Sequence, residues 1–95
     1  PYSKILINVI LLCINSSQFL EAKKYLHEYQ HSIEVRDFYG RAMAVYLEGL
    51  LLVMGGNSQI GHQKIERFFK VCELLDLDHF SQKYKDYFER LITKV

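Results

Sequence analysis

Five stretches of helical periodicity, parted by short turn signals, use up this 95-residue sequence, and none has the alternation and turn chemistry of a strand. That leaves an all-α fold. The spacing predicts helices over about 3–15, 18–35, 38–54, 58–75 and from 79 to the end. Ser16 or Ser17 is available to cap the second helix, Asp37 the third, Asn57 or Ser58 starts the fourth, and Asp78 caps the fifth. Gly55 and Gly56 close the third, because glycine supplies the left-handed residue that ends a helix.

The faces of these helices say how they assemble. Phe19, Ala22, Leu26, Tyr29 and Ile33 form one stripe on the second helix. Ile60, Ile65, Phe68, Phe69, Cys72 and Leu75 do so on the fourth, and Phe80, Tyr84, Tyr87, Phe88, Leu91, Ile92 and Val95 on the fifth. Each of the three has a polar opposite side. The first helix, where only Asn8 is polar between Ile5 and Ile14, and the third, where only Glu48 is charged between Ala42 and Met54, are apolar nearly all round and must be covered on most sides. Covered and one-sided helices thus alternate, as in stacked helical hairpins whose inner helix touches its partner and the neighbouring hairpins. Gly49 and Gly61 are twelve apart, as the two small positions of a tetratricopeptide hairpin are, with Leu52 and Ile65 at its large positions. Ala22 takes the place of Gly61 in the first hairpin, 39 residues earlier, while Ile10 stands where Gly49 would. The expected architecture is a single tetratricopeptide-like helical-repeat domain over 1–95, with the fifth helix as a C-terminal cap.

Composition excludes several function classes. Apolar residues at 49%, with seven Tyr and six Phe, are enough for a core and argue against disorder. A formal net charge of +1 leaves no basic arm for nucleic acid and no polybasic membrane segment. The apolar run over 5–14 is too short to span a bilayer. Cys13 and Cys72 sit in apolar stretches and read as buried thiols of an intracellular protein. The opening "PYSK", without an initiator methionine, suggests a fragment of a longer chain.

Two motifs mimic chemistry. "GGNSQIGHQ" has the G-x-x-x-x-G spacing of a phosphate loop, but His62 and Gln63 stand where Lys and Ser or Thr would be needed for phosphate and magnesium. The apolar run before it continues a helix, so the segment reads as a corner between two helices. "HEYQH", from His27 to His31, matches the H-E-x-x-H of zinc peptidases. At 100° per residue, however, Leu26, Tyr29 and Ile33 point inward together and the two histidines point to solvent. Glu48 is the only tempting third ligand, so a solvated histidine pair is the expectation, with no metal, no cofactor and no enzyme activity.

"YSKILINVILLCINSSQFLEAKKYLHEY", "DFYGRAMAVYLEGLLLVMGG" and "KIERFFKVCELLDL" together resemble the C-terminal repeat domain of the Rgg/GadR/MutR transcriptional regulators. The resemblance covers nearly the whole chain and rests on helix order, turn positions and phrases such as "FLEAKKYL" and "YLEGLLL". It implies an N-terminal helix-turn-helix that binds DNA and is not in this chain. It also implies a cytoplasmic, quorum-sensing protein whose helical domain forms a homodimer and binds a short signalling peptide. In the wider group of peptide sensors, Asn side chains on inner helices clamp the peptide backbone, and Asn8 meets that description. Arg41 and Glu48, polar exceptions on a covered helix, are secondary binding candidates on physical grounds. The rival reading is a helical-repeat scaffold that mediates protein–protein interaction.

Overall fold

The computed structural model describes residues 2–93, and Val95 of the last stripe lies outside the described residues. The described residues form five α-helices and no strand: α1 (Tyr2–Asn15), α2 (Phe19–Ser32), α3 (Phe38–Met54), α4 (Ser58–Leu74) and α5 (Asp78–Thr93). They pack pairwise, α1 on α2 and α3 on α4, with α2 also against α3 and α5 closing over the second hairpin.

The two hairpins differ in how closely their helices approach. A Cβ on Gly49 would lie 2.8 Å from the Gly61 carbonyl oxygen, and one on Gly61 would lie 2.7 Å from that of Gly49. The backbones of α3 and α4 therefore touch, which the two small residues alone permit. Ile10 and Ala22 occupy the equivalent places in the first hairpin and are both fully buried, so a side chain fills the crossing there.

Three of the four connections use one device. Ser17, Gly56 and Asp76 are all left-handed, with φ of 60°, 98° and 59°. In each case the next residue's N–H reaches back over the turn, Gln18 to Cys13, Asn57 to Leu52 and Leu77 to Cys72, at 2.8 Å each. These are Schellman closures of α1, α3 and α4. Ser17 is thus the terminator of α1 and not the cap of α2, which starts after Gln18 without a side-chain cap. Asp78 is already inside α5, one residue later than a cap. Asn57 precedes α4 without a side-chain bond. Asp37 does cap α3, its Oδ1 accepting from the Gly40 N–H at 2.8 Å. The second helix stops at Ser32, short of the expected Val35; Ile33 is extended, and a turn closed by the Asp37 N–H on the Glu34 carbonyl at 3.0 Å leads into α3.

A non-glycine residue in the left-handed region costs about 1 kcal/mol. Ser17→Gly should therefore stabilise the fold by up to roughly that amount, as read from the urea unfolding midpoint. A lower midpoint would mean that Ser17 makes a compensating contact.

The core runs from Leu6, Ile10 and Ile14 of α1 through α2 and α3 to Ile65, Phe68 and Cys72 of α4, and ends on Tyr84, Phe88 and Leu91 of α5. Tyr46 is fully buried at its centre and donates its hydroxyl to the Tyr84 carbonyl at 2.7 Å, tying α3 to α5. Tyr29 donates likewise to the Gly40 carbonyl at 3.1 Å, tying α2 to α3. Burial first, and then the Asp37 carboxylate, push the Tyr29 phenol up to about 12. Some members of the expected stripes are exposed instead: Ile60, Leu75, Phe80 and Ile92.

Candidate functional site

α3 is covered as its composition requires, but α1 is covered on one side only. Leu6, Ile10, Cys13 and Ile14 are buried, while Ile5 and Leu12 are 59% and 65% exposed. The 39-residue correspondence gives this meaning. Ala44 and Leu51 stand in α3 where Ile5 and Leu12 stand in α1, and both are buried. α2 lies on that face of α3, through the Tyr29 hydroxyl on Gly40 and the Gln30 amide on Glu48. The same face of α1 has no such cover among the described residues.

Asn8 is exposed at the edge of this α1 face. Two turns further on, Asn15 looks in the same direction, and its Oδ1 accepts from the Tyr87 hydroxyl of α5 at 3.1 Å. Asn8 thus stands on the side of α1 that turns toward α5. Arg41 and Glu48 belong to a different place. They share the face of α3 that lies between α2 and α4. The Glu48 Oε1 is 2.6 Å from the Lys64 Nζ, and its Oε2 accepts from Gln30 at 3.4 Å. Glu48 is therefore engaged by both neighbouring helices. Arg41 donates to the Val35 carbonyl at 3.2 Å and lines two adjoining apolar grooves, one toward α2 and one toward α4. Neither groove includes Asn8. The larger, about 500 Å³, brings Arg41 together with Arg67, a residue that sequence reasoning passed over.

The two apparent catalytic motifs resolve into helix geometry. "GGNSQIG" is the Schellman end of α3 followed by the start of α4, so no strand feeds it. His27 and His31 are exposed, their ring centroids 4.3 Å apart, and the His31 Nδ1 donates to the His27 carbonyl at 2.9 Å. No group of three His, Cys, Asp or Glu residues that could hold a metal ion occurs among the described residues. Burial pushes the Cys72 thiol up, away from the thiolate that nucleophilic chemistry would need. No helix among the described residues is long and apolar enough to cross a membrane.

An α-helical hairpin stack with an uncovered inner-helix face and open apolar grooves offers surfaces for binding. Its family match gives the context. Residues 2–86 match the family model described as the C-terminal domain of the HTH-type transcriptional regulator Rgg, and the chain belongs to that family. This is a family of regulator domains and not of enzymes. No solved structure matches the chain.

Proposed function

We propose that this chain is one helical-repeat domain that serves as the regulatory and dimerisation part of a cytoplasmic, peptide-responsive transcriptional regulator. DNA contact belongs to a helix-turn-helix outside this sequence. The observation that carries the reading is the Rgg C-terminal match across residues 2–86. The uncovered face of α1 supports the homodimer, since exposed apolar patches on soluble domains mark interaction surfaces. A two-fold contact through Ile5 and Leu12 supplies them with the burial that their counterparts Ala44 and Leu51 have. Sedimentation at micromolar concentration should give a dimer, and Leu12→Glu should return it to a monomer with the fold intact. A dimer that Leu12→Glu leaves unchanged rules out this face.

The signalling peptide is assigned to the side of α1 that turns toward α5, where Asn8 stands clear of α1's buried stripe. Its amide offers a donor and an acceptor to a peptide backbone. Loss of that clamp in Asn8→Ala should weaken peptide binding by the full-length regulator by ~1–3 kcal/mol in a calorimetric titration. Unchanged affinity removes Asn8 from the site. Arg41 and Glu48, on another face, are not assigned to this peptide.

A further inference from the structure

The "HEYQH" segment carries a pair of imidazoles that the fold does not use. His27 and His31 stand one helical turn apart on α2, and both are exposed. Their ring centroids are 4.3 Å apart, and the rings are tilted by 58°. The His31 Nδ1 donates to the His27 carbonyl at 2.9 Å. That bond places the neutral ring's proton on Nδ1 and leaves the Nε2 lone pair for a ligand, as backbone carbonyls do for histidines that bind metal. Among the described residues neither histidine is in an ion pair with a carboxylate.

The spacing of the rings selects among ions. With metal–nitrogen bonds of about 2 Å, two imidazoles at right angles on a square or octahedral ion have centroids roughly 4.5 Å apart, and at tetrahedral positions roughly 5 Å. The observed 4.3 Å lies nearer the first. The pair also sits where positive charge is favoured, because His31 is in the last turn of α2, at the negative end of the helix dipole. That end lacks the left-handed closure of α1, α3 and α4, and Ile33 follows it in an extended conformation.

We infer that His27 and His31 chelate one divalent transition-metal ion of the Ni(II) or Cu(II) type through their Nε2 atoms, with water in its remaining positions. The ion ties the last turn of α2 to the turn before it, so metal binding and helix order favour each other. Tyr29 lies between the two histidines in the chain and makes the tie from α2 to the Gly40 carbonyl, so the ion braces the joint between the hairpins. Among the described residues no third His, Cys, Asp or Glu completes the set, so the ion is exchangeable and the site is not a hydrolytic centre.

The test is calorimetric titration of the tag-free protein with nickel chloride. One ion should bind per chain. His27→Ala and His31→Ala should each weaken it roughly tenfold or more, because the second imidazole of a chelate acts at high effective concentration. His79→Ala, which removes an exposed histidine of α5, should change nothing. Excess nickel should raise the parent's melting temperature and leave that of His27→Ala where it was, and a chelator should reverse the rise. His27 and His31 are exposed, so both variants should match the parent's circular dichroism without metal. No heat at millimolar nickel, or affinity unchanged in both single variants, overturns the inference. Zinc binding more tightly than nickel overturns the choice of ion, since zinc prefers the wider tetrahedral angle.

Discussion

Gly61→Val should leave the protein largely unfolded, and Gly61→Ala should destabilise it measurably. The second outcome is the sharper test, because helix propensity acts in the opposite direction. Gly to Ala inside a helix is worth about 1 kcal/mol in favour of the variant. At Gly61 the added Cβ would meet the Gly49 carbonyl oxygen at 2.7 Å and the Val53 nitrogen at 2.8 Å. Both are backbone atoms of α3, and neither can rotate away. The only relief is to move α4 off α3, which opens the contact that also buries Ile65 and Phe68. Valine adds two methyl groups to the same collision, and overpacking of this kind costs about 3 kcal/mol or more. Chemical unfolding of the three proteins decides the matter. A Gly61→Ala variant more stable than the parent would mean that α3 and α4 do not touch.

That contact was readable from the sequence because it rests on residue identity. Gly49 and Gly61 lie inside helical patterns where glycine is costly, so only a close approach accounts for both. The expected core stripes held in the middle of each helix and failed at the ends. Ile60 lies in the first turn of α4, Leu75 just after its last, Phe80 in the first turn of α5 and Ile92 in its last. Periodicity reports which way a side chain points and not how far the neighbouring helix extends. End turns overhang their neighbours, and their apolar residues come out wet. The caps of α2 and α5 differ from the sequence reading for a related reason, whereas Asp37 caps α3 as its sequence suggests. Serine and aspartate are common both as N-caps and in the left-handed region, so Ser17 offered no way to tell the close of α1 from the start of α2.

The Arg41–Arg67 groove was half legible. Arg41 stands out as a charge on an apolar helix, whereas Arg67 is one of several charges on a polar face and carries no local signal. What joins them is the close seating of α4 on α3, which brings residues 26 apart in the chain to one groove. The uncovered face of α1 was hidden in the opposite way. Its composition says that it should be covered, and only the comparison with α3 shows which side lacks its neighbour.

Phe68→Ala is the substitution expected to test the join between the second hairpin and α5. Phe68 is fully buried, with ring centroids 4.8 Å from Tyr46, 5.7 Å from Tyr84, 5.5 Å from Phe69 and 6.5 Å from Tyr39. It therefore holds together rings from α3, α4 and α5. Truncation removes the transfer free energy of the ring and leaves a cavity whose walls are themselves rigid rings, so the site cannot collapse well. The expected loss is ~3–5 kcal/mol. A domain this small has about that much stability in total, so the variant should be mostly unfolded at room temperature. Tyr46→Phe is the control, because it keeps the stacking and removes only the hydroxyl bond to the Tyr84 carbonyl, worth ~1 kcal/mol. Urea unfolding should place Tyr46→Phe near the parent and Phe68→Ala far below both. A Phe68→Ala midpoint close to that of Tyr46→Phe would mean that α5 is not seated on this aromatic cluster, and that the hairpin's far side is open where the structure has it closed.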